Sequence, residues 1–201
     1  MDVQYLNEKF PAKGSGLVRS DANVTGKYHL TDVIHYIEHT MGWEYSGNWK
    51  ADMWVTMEVG FIWEDALTAA FANRMAVRLD EIELDGIVGS PDGIGDDPLP
   101  SVLAGTMALE EYKCTWKSSR KDVTDKRHWN WHVQTKSYCY MLSVNVVVMR
   151  ILYLIGDYKG SGPQYVTVRI EYTDEELIEN WAMIISHRDR MIAEHFNIIV
   201  K

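Results

Sequence analysis

Two short stretches hold residues suited to chemistry: Pro91-Asp92 and Glu111-Tyr112-Lys113. In a strand, residues i and i+2 share a face, so Glu111 and Lys113 point one way and Tyr112 the other. Asp92 and Glu111 are hard oxygen donors of the kind that hold magnesium. A lysine beside them can orient or deprotonate a metal-bound water, or stabilise negative charge that develops on a phosphate. Converging at the ends of neighbouring strands, the three form a minimal set for phosphodiester hydrolysis. Each piece also has a plainer reading. Pro-Asp-Gly suits a simple β-turn, and Glu111 with Lys113 can be a same-face ion pair on an exposed strand, worth little.

The positioning elements follow from periodicity. Residues 1 to about 28 carry Gly14, Gly16 and Gly26 without a helical period and read as an extended arm or loop. Val33, Ile34, Tyr36 and Ile37 give a helix ending near Gly42, with Thr31 as its cap. Trp43, Trp49 and Trp54 fall in a loop. A helix over Met57 to Met75 presents Phe61, Ala66, Leu67, Ala70, Phe71 and Met75 as an apolar stripe, with Ile62 and Ala69 near the core and Glu64 at the edge.

From Arg78 the period drops to two. Ile82 and Leu84 alternate with Glu81, Glu83 and Asp85 in a strand or hairpin that runs on towards Pro91-Asp92. Asp96-Asp97-Pro98 marks a turn, and Gly105 to Trp116 is the next strand. A basic loop leads into a helix over Trp129 to Leu142. Val144 to Ile155 reads as a buried strand, and Tyr165 to Tyr172 as its hairpin partner. Thr173 and Glu176 make a capping box for a long helix reaching about His195. The order predicts an α/β fold with a mixed central sheet flanked by helices. Residues 1–55 are an arm and helix belonging to the same domain, and 56–201 are its core.

Composition narrows the chemistry. The 201 residues carry a net charge of −9, which argues against a generic nucleic-acid coat protein. The charge is unevenly spread. Lys113 to Lys136 holds seven basic residues against Asp122 and Asp125, a net +5, and leaves −14 elsewhere. A local basic patch on an acidic protein can bind a polyanion, although a charge run is also what a solvated surface looks like. Cys114 and Cys139 are the only cysteines. They lack metal-ligand spacing, so no zinc or iron–sulfur site is expected, and they read as reduced core residues of a cytosolic protein. The most apolar run, Val144 to Ile155, is interrupted by Asn145 and Arg150 and too short to span a bilayer.

Taken in order, Glu64 on a helix, Pro91-Asp92, Glu111-Tyr112-Lys113 and Gln134-xxx-Tyr138 resemble the PD-(D/E)XK nuclease superfamily. The Gln-xxx-Tyr element looks like the RecB branch, similar to the phage λ-exonuclease (YqaJ-type) nucleases. The resemblance covers about residues 60–138. One departure stands out: Phe61-Ile62-Trp63 precede Glu64, where many RecB-branch members have a histidine.

The resemblance implies a restriction-endonuclease-like core binding Mg2+ or Mn2+. Asp92, Glu111 and the backbone carbonyl of Tyr112 would be metal ligands, with Glu64 a further one, direct or through water. Lys113 would position the attacking water, and Gln134 and Tyr138 would order the site or a DNA end. Lys117, Arg120, Lys121, Lys126 and Arg127 would hold the DNA backbone without regard to sequence. Trp116, Trp129 or Trp131 would stack on a frayed base, or simply pack in the core. The implied activity is an exonuclease on linear DNA in phage-type recombination or repair, acting in the cytoplasm without a membrane. A homo-oligomer and a recombination partner protein stay open. The alternatives are an endonuclease on the same fold, a non-catalytic DNA-binding or interaction module, and an acidic DNA-mimic inhibitor.

Overall fold

A computed structural model of the chain describes residues 27–43, 53–71, 77, 79–98, 105–120, 123–160 and 162–194. The expected arm (residues 1–26), Trp49 and Lys121 lie outside the described residues.

Two sheets form. In the larger, β4 (Gly93–Asp96), β5 (Met107–Thr115), β6 (Val146–Tyr153) and β7 (Gln164–Glu171) lie side by side in chain order. β5 and β6 are parallel and the other two pairings are antiparallel. A parallel pair needs a crossover, and α3 (Trp129–Leu142) supplies it. The smaller sheet joins β1 (Tyr28–His29), β2 (Ile82–Leu84) and β3 (Ile87–Gly89), with β3 in the middle. β2 and β3 form a tight hairpin. Asp85 and Gly86 both take positive φ, 50° and 75°, as a two-residue hairpin turn demands. The expected mixed sheet flanked by helices is therefore present, with this small second sheet beside it.

Strand alternation gives the larger sheet two unlike faces. Leu109, Glu111 and Lys113 pair with Val147, Met149 and Ile151 on one face. That face packs under α3, and a continuous core joins it to α1 (Leu30–Thr40) and α4 (Asp174–Ala193). Tyr140 stacks on Trp181 at 5.2 Å between α3 and α4. Asn180 of α4 donates to the Ser137 hydroxyl at 3.0 Å and the Val133 carbonyl at 3.3 Å. On the opposite face, Ala108, Val146 and Val148 form a second apolar cluster. There Trp63 of α2 (Met53–Phe71) meets Tyr165 edge-to-face at 5.8 Å.

Local readings fared unevenly. The Thr173 cap and its box with Glu176 form as expected. Thr31 is instead inside the first turn of α1, and the cap position falls to His29, whose side chain does not cap the helix. α2 begins at Met53, so Trp54 is helical rather than in a loop. Of its apolar stripe, Leu67 is buried, Phe61 is 39% exposed and Ala66 and Ala70 are exposed, while Met75 and the side chain of Phe71 lie outside the described residues; Ile62, at 62%, and Ala69, expected near the core, are exposed too. α2 is apolar on nearly every side, so periodicity cannot select its packed face. Cys139 is buried and Cys114 half-buried, both as free thiols. Among the described residues, no helix is long and apolar enough to cross a membrane.

Candidate active site

The site is built where β4 begins and β5 continues past it. The ladder pairs Gly93 with Glu110 and ends there. The next free donor on β5, the Tyr112 N–H, is taken by the side chain of Asp92, whose Oδ2 accepts at 2.6 Å. A short bond of this kind holds the Asp92 carboxyl group firmly in place. Pro91 before it is buried, so Pro91-Asp92-Gly93 is a strand entry rather than an exposed hairpin turn.

From there a hydrogen-bonded chain crosses to α3. The Lys113 ammonium donates to Glu111 Oε1 at 2.5 Å and to Gln134 Oε1 at 2.7 Å. Gln134 Nε2 in turn reaches the Tyr138 hydroxyl at 3.3 Å. That hydroxyl also accepts from the Ser90 backbone N–H. Gln134 and Tyr138 share a helix face through their spacing of four. The Tyr138 ring lies over Gly89, where a Cβ would come within 2.5 Å of Cε1. Only glycine permits that approach. Glu111 is 2% exposed, so its pair with Lys113 is a buried contact, not a surface one.

The electrostatics are those of acids crowded out of water. Burial, reinforced by the charges of Glu111 and Glu64, pushes Asp92 up to about 8 despite Lys113 and the Tyr112 amide. Burial also pulls on Lys113, but Glu111, Asp92 and Glu64 outweigh it and hold the ammonium above its usual value. Lys113 is therefore a fixed cation, which favours a positioning role over that of a base.

Glu64, Asp92, Glu111, Tyr112, Lys113, Gln134 and Tyr138 all line one open pocket of about 340 Å³. His29, Glu81 and Ser90 line it as well. Ser90 comes in as the residue before Pro91, whereas no spacing pattern links His29 or Glu81 to the motif and the fold brings them in. Glu64 acts on Asp92 and Lys113 through its charge. Among the described residues, no three His, Cys, Asp or Glu side chains already converge as a ligand set. The donors nonetheless suit a hard divalent cation. Glu111 Oε2 is buried without a hydrogen-bond partner, and a second carboxylate close enough to repel it stands alongside.

The expected DNA-binding residues divide. Lys117, Lys126, Arg127, Trp129 and Trp131 surround a second pocket of about 540 Å³ that shares Lys113 with the first. Arg120 is exposed and lies outside the lining of both. Trp131 is buried, with the His128 ring tilted against it at 4.2 Å and the Lys117 ammonium 4.9 Å over its ring. It is thus a core residue, as its plainer reading held. Trp116 is exposed.

No family model and no curated protein matches the chain. Solved structures do. The structure of LHK-Exo in complex with dAMP aligns over 86% of this chain and 91% of its own, at 16% identity and a TM-score of 0.52. The alkaline exonuclease LHK-Exo from Laribacter hongkongensis covers the same shares at 14% identity and a TM-score of 0.49. A phage-related exonuclease from Haemophilus somnus 129PT aligns over 83% of both chains at 17% identity and a TM-score of 0.43. The chain shares the fold of LHK-Exo, the fold that its motif order implied.

Proposed function

We propose that this protein is a metal-dependent nuclease that hydrolyses phosphodiester bonds in DNA, acting as an exonuclease on linear substrates. One observation carries the reading. Asp92, Glu111, Lys113, Gln134 and Tyr138 come from a strand entry, a strand and a helix, yet they meet in one connected network that lines an open pocket. The fold shared with LHK-Exo, solved in complex with dAMP, agrees with it.

Asp92 and Glu111, with Glu64 beside them, would hold Mg2+ or Mn2+, which supplies a water of lowered pKa and neutralises charge at the phosphate. Lys113 orients that water and meets the charge developing on a phosphate oxygen. Gln134 fixes the ammonium by accepting one of its protons, and Tyr138 fixes Gln134. Asp92, bonded to the Tyr112 amide, ties the two strand ends together so that neither acid drifts. Lys126 and Arg127, exposed beside the site, hold the DNA backbone.

The test compares linear duplex, linear single-stranded and covalently closed circular DNA in Mg2+, Mn2+ and EDTA. We expect loss of linear DNA alone, only with metal. Lys113→Ala should slow it by about a hundredfold or more, the usual cost of one pre-placed cationic donor. Nicking of circles would make the protein an endonuclease. A folded protein that binds DNA and cuts no substrate would sink the catalytic reading.

A further inference from the structure

The second pocket holds a feature that backbone binding does not require. Glu38 of α1 forms part of its wall. The residue is 8% exposed, and its Oε2 is buried without a hydrogen-bond partner. Lys117 donates to the Arg127 carbonyl at 2.5 Å and acts on Glu38 through charge. An unpaired buried carboxylate oxygen costs stability, so its retention at a pocket wall points to a ligand.

The rest of the pocket describes that ligand. Trp43, 45% exposed, and Trp129, half-buried, meet edge-to-face at 5.3 Å. They offer aromatic surface to a planar group, whereas Trp131 is already engaged by His128 and Lys117. Lys126 and Arg127 at the rim supply positive charge for a phosphate. Aromatic surface for a base, positive charge for a phosphate and an acceptor carboxylate in the wall define a nucleotide subsite. A carboxylate pairs best with an edge that presents two adjacent donors, as guanine does with N1–H and N2–H. Thymine offers one N–H flanked by two acceptors, and adenine and cytosine offer a single amino group beside an acceptor.

We propose that this pocket is a guanine-preferring nucleotide subsite next to the cleavage site, with Glu38 as the residue that sets the preference. Which strand end occupies it rests on the nuclease reading above. Its existence does not.

The experiment is therefore equilibrium binding in EDTA, where no cleavage intervenes. dGMP, dAMP, dCMP and dTMP are titrated against the full chain and followed by tryptophan fluorescence and calorimetry. We expect dGMP to bind about tenfold tighter than dTMP, the discrimination of one good two-point contact. Glu38→Gln keeps the shape but turns one acceptor into a donor, and should bring the four within about twofold of one another. Trp43→Ala should weaken all four by a similar factor, about tenfold, through lost stacking. Thermal unfolding checks that both variants fold. Equal binding of the four nucleotides, a dGMP preference that survives Glu38→Gln, or no saturable binding would overturn the proposal. Guanine-selective binding by a protein that cuts no DNA would leave this subsite standing and remove the nuclease reading.

Discussion

At the residue scale, Asp92 carries a prediction about pH. Its carboxyl rises from 3.8 to about 8 on folding, chiefly through burial and then through Glu111. The folded protein thus binds a proton that the unfolded chain releases. That stabilisation is complete below about pH 4 and is lost as pH climbs through about 8. In EDTA, the thermal midpoint should fall from pH 6.5 to 9. Mg2+ should restore it, and by more at pH 8.5 than at 6.5, because the ion competes with that proton. Asp92→Asn should flatten both trends. An Asp92→Asn variant with the wild-type pH slope would show that another group is responsible. Glu111, Lys113 and Asp92 stood out in the sequence because strand alternation and turn chemistry are local rules. Glu38 did not, because Lys117 and Trp129 lie far from it in sequence and come near it only through the packing of α1 beside α3.

At the element scale, β5 does different work on its two faces. Glu111 and Lys113 face the site. Glu110, one residue away, is buried on the other face in a two-point pair with Arg150 of β6, Nε to Oε2 at 2.7 Å and NH2 to Oε1 at 2.8 Å. Removing one member strands a buried charge, which costs about 3 to 5 kcal/mol. Arg150→Met should cost that much in urea unfolding, while Arg150→Met combined with Glu110→Leu should recover most of it. A double variant no better than the single would assign the cost to packing instead. The sequence marked Arg150 only as a break in an apolar run, since a cross-strand partner forty positions away leaves no local trace. The Trp129–Leu142 helix and the Thr173 capping box were legible for the opposite reason: their signals lie within a turn or two. Gly89 belongs to this scale too. Its Cβ would strike the Tyr138 ring, so Gly89→Ala should displace Tyr138 and loosen Gln134 from Lys113. Activity should fall more than stability does, which paired kinetics and melting would establish.

At the scale of the whole molecule, the decisive quantity is where charge sits. A protein of net −9 repels DNA at a distance, so productive approach must come over the +5 segment that runs from the site lysine into α3. Lys126 and Arg127 are exposed and line the second pocket, while Lys117 is half-buried and already bonded to a backbone carbonyl. Counterion release should therefore come mainly from the two rim residues, with little from Lys117. Binding of a linear duplex in Ca2+ should weaken steeply with salt, and the slope of log K against log salt should fall by about 1 for each of Lys126→Ala and Arg127→Ala. Arg120→Ala, exposed but outside both pockets, should leave the slope nearly unchanged. Equal slope changes at all three positions would mean that DNA follows the whole basic segment instead of the second pocket. In the sequence the run of basic residues allowed either a polyanion site or a solvated surface, and which of its members line the second pocket depends on how the chain folds around α3.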